Sequence, residues 1–151
     1  MTARVAALRV LAQRRLTEAQ LWQRLERRGF AADAISAAVA GCKADGYLDD
    51  RLFAELHVCA ARKPVGDVRL IAQLVQKGID PEVARGALTA ASQTQARRCE
   101  RALDDLERRR PGIGYPSAAR ALERLGFPAS VIYATLRERI AASGLLISTE
   151  D

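Results

Sequence analysis

An all-α fold of three tandem three-helix repeats, packed into an elongated, curved helical array, is what three observations in this chain predict. A short pattern recurs at Gly29, Gly78 and Gly126, with spacings of 49 and 48 residues. Four positions before each glycine stands Leu25, Leu74 or Leu122, and one position after stands Phe30, Ile79 or Phe127. Spacing of four is the helical period, and a glycine closing such a run is a C-terminal cap in the left-handed region. Leucine and alanine, both good helix formers, dominate the 49% hydrophobic content, while β-branched runs are absent. The repeat period places the chain among tandem arrays, which offer extended surfaces for other macromolecules.

The first repeat, residues 1–48, opens with a helix from Ala3 to Arg15 whose expected core stripe is Val5, Leu8 and Leu11 or Ala12. Thr17 and Gln20 form a capping box, with Leu16 and Leu21 spaced as a hydrophobic staple. The second helix runs through Trp22 and Leu25 to Arg28, and Gly29 ends it. The third passes Ile35 and Val39 and closes at Gly46.

The second repeat, 49–92, starts at Asp49-Asp50, whose carboxylates suit a helix N-terminus. Leu52, Phe53, Leu56 and Cys59 are its expected inward face, and Pro64 its stop. A helix from Asp67 to Lys77 ends at Gly78, and Asp80-Pro81 starts the next. That helix, through Val83 and Leu88, is expected to run almost directly into the charged segment from Gln93 to Arg110. The third repeat, 93–144, breaks at Pro111-Gly112-Ile113-Gly114, restarts at Ser117 and turns at Gly126. Residues 145–151 read as a tail anchored by Leu145, Leu146 and Ile147. Units of this size bury too little surface alone, so neighbours are expected to share hydrophobic faces.

The net charge of +6 is uneven. Residues 1–48 carry eight basic and four acidic side chains, 49–96 six of each, and 97–151 ten and eight. A basic excess favours acidic partners or nucleic acid, and also serves solubility. Three widely spaced cysteines without a C-x-x-C pair point to a reducing compartment, and no apolar run approaches the ~20 residues of a membrane span. Arg4, Arg9, Arg14 and Arg15 give the start a superficial likeness to a transit peptide, but an ordinary first helix explains it better. A monomer in the cytoplasm is expected.

Enzymatic chemistry finds little support. The single histidine, His57, lies mid-helix and lacks partners for a metal site or a triad. Helix capping accounts for Asp49-Asp50, and Gly112-x-Gly114 lacks the lysine and the preceding strand of a phosphate loop. Cys42, Cys59 and Cys99 read as small core or partly buried residues. No cofactor, no metal and no catalytic residue is expected. The segment from Arg97 to Arg110 alternates in sign and reads as a solvated helix with internal ion pairs. Arg24, Arg28, Arg62, Arg69 and Lys77 remain as candidates for contacting an acidic partner, although the dipoles of nearby helix ends also favour them. Direct nucleic-acid binding is the competing reading. Against it, the few aromatics, Phe30, Phe53 and Phe127 among them, read as core, which leaves no base-stacking platform.

Gly46-Tyr47-Leu48-Asp49-Asp50, then Phe53-Ala54-Glu55, Val58 and Arg62, resembles the signature of the RecX family of recombinase regulators. Gly66, Arg69, Leu70, Leu74 and Lys77-Gly78-Ile79 resemble that family's second-repeat helix. Thr17 to Phe30 and Leu122 to Leu136 resemble its flanking repeats. Asp67 stands where the family often has proline, and Gln73 where it commonly has glutamate. The resemblance implies a non-enzymatic regulator of recombination and DNA repair that binds the RecA recombinase, chiefly as its filament on single-stranded DNA. It implies damped ATP hydrolysis and strand exchange, or loss of the filament. An autonomous helical nucleic-acid-binding protein acting through its basic surface, with weak direct DNA contact, is the alternative.

Overall fold

Thr17 shows how local sequence starts a helix here. Its hydroxyl accepts from the Gln20 backbone N–H at 3.1 Å, and the Gln20 side chain accepts from the Thr17 N–H at 3.0 Å, completing the capping box. The computed structural model describes residues 1–61, 63–91 and 93–143, so Arg62, Gly144 and the expected tail at 145–151 lie outside the described residues. Nine α-helices and no strand occur among the described residues. They are α1 (Ala3–Gln13), α2 (Glu18–Arg27), α3 (Ala32–Ala44), α4 (Asp50–Ala60), α5 (Asp67–Gln76), α6 (Pro81–Ala90), α7 (Gln95–Arg109), α8 (Tyr115–Arg124) and α9 (Ala129–Ala142).

Helices α2, α5 and α8 end in the same way at the repeated glycine. Helix α3 ends likewise at Gly46, where φ is 79° and the Tyr47 N–H bonds the Cys42 carbonyl at 2.9 Å. Gly29, Gly78 and Gly126 have φ of 85°, 90° and 91°, which only glycine adopts without strain. The amide after each glycine, of Phe30, Ile79 or Phe127, bonds the carbonyl of Leu25, Leu74 or Leu122 at 3.3, 3.1 and 3.3 Å. The repeated leucine therefore plays two parts. Its carbonyl closes the cap, and its side chain is fully buried, which stabilises the fold by roughly 2 kcal/mol per leucine.

The chain divides into two compact units. One holds Met1–Ala60 and Ile71–Ala91; the other holds Ala61–Leu70 and Ser92–Asp151. In the first, α1, α2 and α3 pack on one another and α4 packs on α6. In the second, α7, α8 and α9 pack on one another.

Several faces differ from those expected. The buried side of α1 is Ala3, Ala6, Ala7 and Val10, while Val5 is 42% exposed, Leu8 and Leu11 are only partly buried and Ala12 is exposed. On α4 the buried residues are Ala54 and Val58. Phe53 is half-buried, Cys59 is exposed, and Leu52 and Leu56 are 38% and 42% exposed. Ala84 and Ala87, rather than Val83 and Leu88, are the buried residues of α6. Helices that approach closely place small side chains at the contact, whereas ranking residues by hydrophobicity selects the large ones. Boundaries move as well. Helix α1 ends at Gln13, α4 ends at Ala60 short of Pro64, and α8 begins at Tyr115. Helices α6 and α7 are separate, because Ala91 is extended and the Thr94 hydroxyl caps α7 at the Arg97 N–H.

The same two-bond junction is built once in each unit. In the first, the Thr17 hydroxyl, completely buried, donates to the Lys77 carbonyl at 2.7 Å, and the Asp50 carboxylate accepts from the Glu18 N–H at 2.8 Å. In the second, the Gly66 N–H donates to the Leu125 carbonyl at 2.9 Å, and the Gln95 side chain accepts from the Asp67 N–H at 2.8 Å. Lys77 and Leu125 each precede a repeat glycine. Asp50 and Gln95 are each the first residue of the helix that opens a repeat. Each bond satisfies a helix-end group that has no intrahelical partner. The backbones come close enough that a Cβ on Gly66 would strike the Gly126 carbonyl, and one on Gly78 would strike the Ala19 side chain.

Candidate partner-binding surface

Arg24 and Arg28 lie one turn apart near the end of α2, where cations complement the helix dipole. Arg28 is exposed and Arg24 half-buried. Lys77 is half-buried beside the junction that its own carbonyl makes with Thr17. These three belong to the first unit. Arg69 belongs to the second, exposed on the first turn of α5, and its guanidinium donates to the Arg124 carbonyl at the end of α8 at 3.2 Å. Among the described residues, no carboxylate forms a salt bridge with any of these four side chains. Arg62, the fifth candidate, lies outside the described residues.

Other arginines hold the fold together. Arg98 is 4% exposed; it donates to the Val65 carbonyl at 2.6 Å and pairs with Asp67. Arg139 on α9 bonds Glu107 at 2.7 Å and Asp104 at 2.6 Å, both on α7. Burial alone would lower the Arg139 pKa, but hydrogen bonds and charge from these two carboxylates outweigh it and raise the value. The expectation of a wholly solvated α7 therefore needs correcting. Arg97–Glu100 and Arg108–Asp105 are the expected internal pairs. The opposite face buries Cys99, Ala102, Leu103 and Leu106 with Arg98 at its edge, and the partly exposed Asp104 and Glu107 reach α9. The alternation of sign along α7 carried no signal that Arg98 alone would turn inward.

Asp49 caps α4, its carboxylate accepting from the Leu52 N–H at 3.0 Å, whereas Asp50 serves the start of α2. The Asp50 carboxyl is pushed above its ordinary range chiefly by burial, with the Glu18 N–H and Lys43 pulling the other way. His57 Nε2 lies 3.1 Å from the Gln73 side-chain oxygen, a structural contact. Burial also raises the Cys42 and Cys99 thiols, whereas Cys59 is exposed. No group of three or more His, Cys, Asp or Glu is placed to hold a metal ion among the described residues.

The aromatics depart furthest from expectation. Phe127 is buried and Phe30 and Phe53 are half-buried, but all three tyrosines are exposed. Tyr115 on α8 and Tyr133 on α9 stack with ring centroids 6.3 Å apart and an interplanar angle of 13°. The sequence offered a faint signal, since each tyrosine stands outside the leucine register that marks the core.

The family profile described as RecX, first three-helix domain, matches residues 3–42. Over 153 residues the chain is 33% identical to the regulatory protein RecX of Thermobifida fusca (strain YX), covering 95% of this chain and 81% of that one. With a regulatory protein RecX of Thermus thermophilus it shares 37% identity over 125 residues, covering 83% of each. A crystal structure of RecX from Lactobacillus salivarius superposes with a TM-score of 0.80 at 21% identity, covering 90% of this chain and 93% of that one, a likeness of fold. No helix among the described residues is long and apolar enough to cross a membrane.

Proposed function

We propose, for a chain that belongs to the RecX family of regulatory proteins, a role that rests on binding rather than on chemistry of its own: attachment to the RecA recombinase, chiefly in its filament on single-stranded DNA, in the cytoplasm. The supporting observation is the set Arg24, Arg28, Arg69 and Lys77. These cations sit at helix ends and have no carboxylate partner among the described residues, so they are available to acidic groups of a partner. A regulator of this kind needs only to favour one filament geometry over another. Differential affinity then shifts the filament's equilibrium, with damped ATP hydrolysis and strand exchange as the expected outcome. Steering by the basic surface speeds encounter and weakens over a Debye length of ~8–10 Å as salt rises.

The test is titration of the full chain into RecA hydrolysing ATP on single-stranded DNA. Inhibition is expected well below one molecule per nucleotide. Arg24→Glu with Arg28→Glu reverses the pair on the first unit, and Arg69→Glu the cation on the second. Either change should weaken inhibition severalfold while the melting temperature falls by only a few degrees, because a charge at a helix end contributes about 0.3–1 kcal/mol. An unaltered ATPase rate at saturating protein would refute the proposal. Full potency in both reversal variants would remove these cations from it.

A further inference from the structure

The stacked tyrosines flank a cleft in the second unit. Tyr115, Pro116, Arg120 and Glu123 from α8, with Pro128 and Tyr133 from the start of α9, line a volume of about 590 Å³. Tyr115 is 36% exposed and Tyr133 47%. Two near-parallel rings on solvent-exposed residues form a platform that a third flat ring can extend.

The charges beside it favour a polyanion. Arg120 reaches Ser117 Oγ at 3.5 Å and makes no salt bridge among the described residues. Arg124 follows Arg120 by one helical turn, Arg137 follows Tyr133 by one turn, and both are exposed. Glu123 and Glu138 oppose these three guanidinium groups. The unit as a whole, residues 61–70 and 92–151, carries thirteen basic and nine acidic side chains.

We infer that the Tyr115–Tyr133 cleft is a base-stacking site for single-stranded DNA: one unpaired base lies against the tyrosine pair and Arg120 meets a neighbouring phosphate. Stacking on exposed aromatic faces beside a cationic track is how single strands are held without reading sequence. A proline-rich peptide also fits aromatic-lined grooves, but it would bring no negative charge to Arg120, Arg124 and Arg137, which outnumber Glu123 and Glu138. The choice of DNA over RNA rests on the recombinase-filament reading above; the stacking itself does not.

The experiment omits RecA. Fluorescence anisotropy compares the full chain's affinity for a labelled fifteen-nucleotide oligothymidylate with an abasic oligomer of the same length and charge, and with an oligouridylate. The oligothymidylate should bind about tenfold tighter than the abasic strand. Tyr115→Phe and Tyr133→Phe should keep that preference, and Tyr133→Leu, which retains bulk without a π face, should abolish it. Arg120→Ala should weaken both DNA strands alike and reduce the salt slope by about 0.7. Equal affinity for intact and abasic strands in the parent would overturn the inference, as would an undiminished preference in Tyr133→Leu. Displacement of the DNA by a proline-rich peptide at lower concentration would assign the cleft to peptide instead, and tighter binding of RNA would overturn the choice of DNA. A stacking preference in a chain that leaves RecA's ATPase untouched would keep this inference and sink only the filament reading.

Discussion

Replacing three glycines by alanine, one at a time, separates backbone strain from the close approach at the junctions. Gly29→Ala adds a Cβ that meets nothing within 4 Å, so only the positive φ of 85° opposes it. The left-handed region costs an L-residue about 1–2 kcal/mol. Alanine also restricts the unfolded chain, returning about 0.4–1 kcal/mol, so the net loss should be about 1 kcal/mol. Gly78→Ala has nearly the same φ, 90°, but drives its Cβ into the Ala19 side chain, with Thr17 Oγ1 at 4.0 Å. Overpacking adds about 1–3 kcal/mol, and a disturbed Thr17–Lys77 bond about 1 kcal/mol more. The total should be about 3–5 kcal/mol. Gly66→Ala isolates the contact, because Gly66 lies outside the left-handed region yet its Cβ would strike the Gly126 carbonyl. Loss of the Gly66–Leu125 bond is added, for about 2 kcal/mol net. Urea unfolding followed by circular dichroism gives the three values. In a chain of this length each kilocalorie also moves the melting temperature by about 2–4 °C. If Gly78→Ala costs no more than Gly29→Ala, the helix end at Gly78 is not packed against α2, and the junction reasoning fails.

Two further outcomes follow from burial. Arg98→Ala should destabilise by about 2–3 kcal/mol, since it removes charge-assisted bonds to Val65 and Asp67, while Arg97→Ala, which loses an exposed pair with Glu100, should cost less than about 1 kcal/mol; equal melting temperatures for the two variants would contradict the buried role of Arg98. A thiol reagent should titrate Cys59 quickly in the folded chain and leave Cys42 and Cys99 unreacted until denaturant is added, with little gain on moving to about pH 9, because burial raises both of those thiols. Fast reaction of more than one thiol in the native state would refute it.

The sequence by itself determined whatever is made between residues a few positions apart. The Thr17–Gln20 capping box, the Asp80-Pro81 start and the glycine ends at 29, 78 and 126 each close within about five residues, so composition at fixed spacing reveals them. The repeat period and the resemblance carried by residues 46–79 likewise needed no coordinates. The candidate cations Arg24, Arg28, Arg69 and Lys77 were legible as charges at helix ends, which is a local property too.

Tertiary structure decided which face of each helix is buried, and which polar groups meet across the fold. Alanine suits water and interior about equally, so no periodicity of large residues could show that α1, α4 and α6 bury Ala6, Ala7, Ala54, Ala84 and Ala87. Bonds joining Thr17 to Lys77, Glu18 to Asp50 and Asp67 to Gln95 link positions 60, 32 and 28 residues apart. The burial of Arg98 and the Tyr115–Tyr133 stack are of the same kind. An arginine on a mixed-sign helix looks alike whether it faces solvent or a carbonyl, and a tyrosine suits either a core or a surface. Only the packing of neighbouring helices, which sets what lies within about 3 Å of each polar atom, distinguishes them.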